Sequence, residues 1–169
     1  MKIDINRITD ELSNLSDIMK KENQIMLQTT SKLSNKDMFF GVGSFKEYRD
    51  MGLKESDFDS PLFDDMPYIN SILHELKMYR SRILILKPKS CYSYHVDASP
   101  RIHIPIITTP NNFMVIEDKC YWMPANGSAY YTDTERMHTF VNADLKVTRI
   151  HIVGCIDRDP KNNEIFYVI

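Results

Sequence analysis

No C-x-x-C pair occurs in this sequence. Its three cysteines, Cys91, Cys120 and Cys155, are odd in number and widely spaced, which fits neither a disulfide framework nor a zinc knuckle and points to reduced, packing thiols. Long apolar runs are missing too. Ile83-Leu84-Ile85-Leu86 is among the longest, far below the roughly 20 residues that span a bilayer, and the Met1-Lys2-Ile3-Asp4 start has no signal-peptide core. A soluble, cytoplasmic protein with no membrane partner is the expectation. Neither sign of charge dominates, since 21 Lys and Arg face 23 Asp and Glu for a formal charge of -2; without a strong basic field, a nucleic-acid partner is not expected. Solenoid-type repeats and low-complexity linkers are absent. At 169 residues the chain reads as a single domain, 1–169, able to bury about two thirds of its unfolded surface without a metal or disulfide.

What is present changes texture near residue 80. Residues 1–80 read as a mostly helical prelude. Ile5, Ile8, Leu12, Leu15 and Met19 recur at three- and four-residue steps and predict an amphipathic helix over 4–27, its apolar side on a sheet. Ser44-Phe45-Lys46-Glu47 has the form of a capping box, and Gly52 can end the short helix it starts near 45–51. Pro67 opens a third helix, 68–79, with Ile69, Ile72, Leu73 and Leu76 on one side. Between these two lies an acidic, turn-rich loop, 54–66, either plain solvated surface or a lid. From Arg82 onward come short β-rich segments broken by Pro, Asn, Asp and Gly: 82–87, 91–96, 101–108, 113–117, 120–123, 128–132, 138–142 and 147–156. They predict a mainly β protein, a two-sheet sandwich or jelly roll over 81–158, with the N-terminal helices packed on the outer face of one sheet and a C-terminal extension at 159–169.

Arg-Ile-His-Ile occurs twice, at 101–104 and 149–152. Strand alternation gives each copy an Arg/His face and an Ile face. Were the isoleucines turned to the core in the usual way, Arg101, His103, Arg149 and His151 would line the solvent. With helices covering the outer face, Ile102, Ile104, Ile150 and Ile152 pack against them instead, and the cations point between the sheets. Charges buried there need partners, which a metal and a dicarboxylate ligand would supply.

His95-Val96-Asp97 places an imidazole and a carboxylate on one strand face, where they can converge on one ion. By itself H-x-D is common by chance. His138, in Arg136-Met137-His138-Thr139-Phe140-Val141-Asn142, offers a second imidazole, and two histidines with one carboxylate occupy three positions on one face of an octahedral iron(II). Arg149, eleven residues beyond His138, starts a strand that can run beside the metal strand; its planar guanidinium can grip a carboxylate through two parallel hydrogen bonds. His151 reads as structural, Tyr92 and Tyr94 as aromatic packing, Tyr121 and Trp122 as core or edge, and His74 as surface.

The stretches HVDASPRIHIPI, from His95, and MPANGSAYYTDTERMHTFVNADLKVTRIHIVG, from Met123, resemble the aspartyl/asparaginyl β-hydroxylase family of iron(II)- and 2-oxoglutarate-dependent oxygenases. In that family a metal-binding His precedes an R-x-H strand, and after a Gly-bearing turn a second metal His, an Asn and a second R-x-H follow. The likeness covers roughly 82–156, and the prelude matches only in general character. It implies a double-stranded β-helix (jelly roll, cupin-like), with His95, Asp97 and His138 as iron(II) ligands, Arg149 gripping 2-oxoglutarate, and Arg101 and His103 around the same cosubstrate. Some members lack the acidic ligand that Asp97 provides here, and the gap from His95 to Arg101 is shorter than expected of a peptide-hydroxylating member. The implied reaction uses 2-oxoglutarate and O2 to hydroxylate an amino acid or peptidyl side chain of Asp, Asn or Pro type. The same chemistry on a nucleobase or small metabolite, and a non-catalytic jelly-roll binding module, are the alternatives.

Overall fold

The computed structural model describes residues 2–34 and 36–169. Asp4 opens the first helix, its carboxylate accepting from the backbone N–H groups of Asn6 and Arg7, and caps α1 (Ile5–Leu12). The predicted helix does not run on to residue 27. It tightens into a 3-10 turn at Ser13–Leu15, resumes for one turn as α2 (Ser16–Met19) and yields to strand β1 (Gln24–Met26). Ile25, Met26 and Leu27 are all buried, which a strand covered on both faces accommodates and a helix with one apolar stripe does not.

Strand β2 (Gln28–Thr29) pairs with β3 (Ser60–Pro61), and between them lie α3 (Lys46–Asp50) and a 3-10 turn at Glu55–Asp57. Phe45, not Ser44, occupies the N-cap position of α3, while the Ser44 hydroxyl accepts from Lys46 N–H. Helix α4 (Pro67–Glu75) starts on its proline as expected but stops short of 79; Lys77 adopts φ +52°, and Tyr79 already belongs to β4 (Tyr79–Leu86). The remaining strands are β5 (Ser90–Cys91), β6 (Arg101–Ile107), β7 (Asn112–Ile116), β8 (Lys119–Trp122), β9 (Tyr130–Thr132), β10 (His138–Asn142), β11 (Arg149–Cys155) and β12 (Phe166–Val168). Within the C-terminal extension, 159–169, β12 pairs with β9 and so extends the sheet.

The strands form two larger antiparallel sheets, ordered β1-β4-β11-β6-β9-β12 and β5-β10-β7-β8, and neither closes into a barrel. Numbered from β4 to β11, the larger sheet takes the first, eighth, third and sixth strands and the smaller takes the second, seventh, fourth and fifth.

Alternation in the larger sheet decides what lies inside. Ile83 and Ile85 of β4, Ile102 and Ile104 of β6, and Ile152 of β11 pack with Ile8, Leu12, Ile69 and Leu73 of the helices, and Ile150 joins them partly buried. The repeated Arg-Ile-His-Ile thus turns its isoleucines to the helices. Its other face, Arg101, His103, Arg149 and His151, is 2, 4, 0 and 0 % exposed. A second apolar cluster, Leu86 with Met114, Ile116, Met123, Tyr130 and Phe140, joins the two sheets. Gly127, at φ +83°, ties the N-terminus to the β8–β9 turn: Ile3 N–H donates to its carbonyl at 2.7 Å, and a Cβ there would meet the Ile3 carbonyl oxygen at 2.5 Å. Among the described residues no helix is long and apolar enough to cross a membrane.

Candidate functional site

Beyond β5 the chain runs along the start of β10, where His95 and His138 exchange backbone hydrogen bonds of 3.0 and 2.8 Å. Directly opposed residues of an antiparallel pair share a face, and the two imidazole centroids lie 4.4 Å apart. Asp97, two residues on, returns to that face, anchored by its N–H donating to the Thr134 carbonyl at 2.8 Å. One carboxylate oxygen lies 3.9 Å from His95 Nε2 and the other 3.7 Å from His138 Nε2. These separations are too long for hydrogen bonds and suited to three ligands around one ion, all ligand atoms lying within 4.8 Å of one another.

The backbone sets the rings for that task. His95 Nδ1 is 2.6 Å from the Ser93 carbonyl and His138 Nδ1 is 2.9 Å from the Arg136 carbonyl. A carbonyl only accepts, so each Nδ1 carries a proton, and Nε2 is the nitrogen each ring turns to the cluster. Burial lowers the pKa of His138, keeping it neutral and able to ligate. Arg101 Nε is 3.2 Å from Asp97, close enough to pair but outside hydrogen-bond geometry.

The cluster opens into a cavity of about 930 Å³ between the sheets. Arg149, His103, Tyr92, Met114 and Phe140 line its depth. Arg149 is fully buried, its guanidinium 3.7 Å from the centroid of the Phe140 ring; Nη2 is 3.5 Å from His103 Nδ1, while Nε and Nη1 have no hydrogen-bond partner. Burial pulls its pKa down to about 10, partly offset by the Tyr92 phenol, so it stays a cation at neutral pH. Among the described residues it makes no ion pair with a carboxylate. His103 and His151 touch through their Nδ1 atoms at 3.4 Å, and burial together with the Arg149 charge holds both neutral.

All six residues singled out in the sequence therefore meet at one cavity, in two kinds of surroundings. His95, Asp97 and His138 face one another; Arg149 and His103 lie deeper, Arg149 unpaired. Arg101 is engaged by the chain itself, pairing with Asp97 and with Glu55 at 3.2 Å and donating to the Ser99 hydroxyl. Sequence reasoning missed Glu55, Arg80 and Arg82. Glu55 leaves the acidic 54–66 loop and reaches inward to both Arg80 and Arg101, fastening that loop over the rim. Arg80 adopts φ +49° where β4 and β11 shift register, held by its guanidinium donating to the carbonyls of Gly41 (3.0 Å) and Gly43 (2.8 Å). The available signal for Arg82 was its alternation with Leu84 and Leu86.

The geometry defines a two-histidine, one-carboxylate cluster on an antiparallel β scaffold. No protein-family model matches the chain, and no curated protein does.

Proposed function

We propose that the protein is an iron(II)- and 2-oxoglutarate-dependent oxygenase built on a double-stranded β-helix, hydroxylating an unactivated C–H bond. The strand order, first-eighth-third-sixth against second-seventh-fourth-fifth, supports the jelly roll. The observation that carries the activity is one cavity holding both a His-Asp-His cluster and a buried guanidinium whose Nε and Nη1 lack partners. Two imidazole nitrogens and a carboxylate suit iron(II), and an orphaned buried cation suits the far carboxylate of a keto acid.

In this reading His95 and His138 hold the metal through Nε2 and Asp97 through its carboxylate. The Ser93 and Arg136 carbonyls fix the rings, and Arg101 pairs with Asp97 at 3.2 Å. Arg149 holds 2-oxoglutarate by its distal carboxylate, with Phe140 setting the guanidinium plane. Bound there, iron(II) would supply activation of dioxygen, with 2-oxoglutarate as the two-electron reductant leaving as succinate and CO2. The sheets exclude water around the reacting bond.

The test is succinate formation from 2-oxoglutarate by the full chain with iron(II) and O2, without a prime substrate. Slow, iron-dependent succinate production that is lost in His138→Ala is expected. Ligand binding with no succinate formed would make the protein a non-catalytic jelly-roll module instead.

A further inference from the structure

A second buried guanidinium in the same cavity has no role in that reading. Arg82 lies on β4, 8 % exposed, its side chain on the cavity face with Leu84 and Val153. Its hydrogen bond is from Nη1 to the Arg80 carbonyl at 3.3 Å, and Nε is buried without a partner. Arg80 and Arg101 share Glu55, and Arg101 also faces Asp97, but among the described residues Arg82 makes no ion pair. A buried cation so placed is costly unless an anion joins it.

Arg82 and Arg149 occupy separate places along the sheet. Arg149 stands opposite Leu86 and Val153 opposite Arg82, so four residues, about 13 Å of strand, separate the two positions along the sheet. Their surroundings differ as well: Phe140 and Tyr92 for Arg149, and Arg80, Arg101 and Asp97 for Arg82, with His103 between and sensing both charges.

The charge of the lining points the same way. Arg49 and Lys54 stand at the rim, and Arg80, Arg82, Arg101 and Arg149 lie within. Among the described residues only two carboxylates, Glu55 and Asp97, line the cavity with them, in a chain whose formal charge is -2. A divalent metal and the 2-oxoglutarate dianion cancel each other, so their binding leaves the positive excess in place.

We propose that the prime substrate is a small anion whose carboxylate or phosphate group Arg82 holds inside the cavity, with Arg49 and Lys54 drawing it in at the rim. The inference rests on the oxygenase reading and narrows its substrate. A neutral side chain on a polypeptide would leave Arg82 unpaired.

The experiment compares the full-length wild type with Arg82→Met, Arg82→Lys and Arg149→Met. Each is loaded with manganese(II), a redox-inert stand-in for iron, and titrated calorimetrically with 2-oxoglutarate. The 2-oxoglutarate-saturated proteins are then titrated with L-malate and N-acetyl-L-aspartate, with inorganic phosphate and glycerol 3-phosphate, and with uncharged N-acetyl-L-asparagine amide. An acid from the carboxylate or the phosphate arm is expected to bind the loaded wild type. Its affinity falls at least tenfold in Arg82→Met and less in Arg82→Lys, while 2-oxoglutarate affinity changes less than threefold in both. In Arg149→Met the larger loss falls on 2-oxoglutarate. Failure of every anion to bind the loaded wild type, anion binding indifferent to Arg82, or equal binding of the neutral amide would overturn the proposal. Failure of the wild type to bind 2-oxoglutarate would instead strike the oxygenase reading itself.

Discussion

The Arg149 guanidinium lies against the Phe140 ring at 3.7 Å from its centroid, so this fully buried cation is held by a π face on the opposite sheet and, among the described residues, by no carboxylate. A cation–π contact returns about 1–2 kcal/mol, less than the several kcal/mol that burying an unpaired charge costs. The residue is therefore a local liability unless it binds something.

This difference makes function and stability move in opposite directions at Arg149. In Arg149→Met, ligand-free stability is expected to rise by about 1 kcal/mol or more, because relief of the buried charge outweighs the lost contact with Phe140. The Kd for 2-oxoglutarate should rise on the order of 100-fold, as two charge-assisted hydrogen bonds are lost, while metal affinity stays within a few-fold. Urea midpoints and calorimetric titrations measure the two effects; a variant less stable than its parent would mean that Arg149 is a structural cation.

His138→Ala is expected to fold, because the Ile and helix core that surrounds Ile104 and Ile152 contains no part of the metal cluster. Iron(II) or manganese(II) at 100 times its Kd should stabilise the wild type by about 2.7 kcal/mol and leave the variant unmoved. Thermal unfolding with and without metal decides the matter. An unfolded variant, with a wild type indifferent to metal, would make His138 a packing residue.

Glu55 makes the protein acid-sensitive. Burial on its own would raise its carboxyl pKa, but Arg101, Arg80 and the Ser99 hydroxyl outweigh burial and hold it below the ordinary value. A carboxyl depressed by folding contributes its stability in full above the unfolded value of about 4.5, and that contribution drains away as pH falls through the folded value. Glu55→Gln should therefore cost about 3 kcal/mol at pH 7, and the gap from wild type should close progressively below about pH 4.5. Urea unfolding across this range at fixed salt measures it; a gap constant with pH would show that shape, not charge, is what Glu55 supplies.

The repeated Arg-Ile-His-Ile illustrates how far the sequence alone reached. Period-two alternation separates Ile102 and Ile104 from Arg101 and His103 whatever the topology, and an apolar prelude able to cover the Ile face then turns the cations inward. His95 and Asp97 were legible for the same reason. Glu55 was not, because a carboxylate in an acidic turn looks solvated until a tertiary partner is known, and Arg80 and Arg101 are 25 and 46 residues away in the chain. Arg82 heads an apolar run, and local pattern cannot say which face of that run lies against helices. Residues 24–26 misled through the helical spacing before them: the tertiary pairing of Ile25 with Ile83 overrides a periodicity that ends near Met19.

Gly154 carries a prediction that touches the fold alone. It lies where β11 and β4 shift register, and a Cβ there would meet the Ser81 hydroxyl at 2.4 Å and the Met78 Cε at 2.7 Å. The Met78 Cε can swing aside, but its Cβ, 3.1 Å away, is fixed to the backbone and Ser81 is fully buried within β4, so the hydroxyl must rotate or the backbone must shift. Overpacking of this kind costs about 1–3 kcal/mol. Gly154→Ala should therefore lower the urea midpoint by that amount while 2-oxoglutarate and metal affinities stay near wild type, because position 154 belongs to the helix-facing side of β11 and Val153 to the cavity side. Loss of ligand binding in a variant of undiminished stability would mean that the register shift sets the site rather than the scaffold.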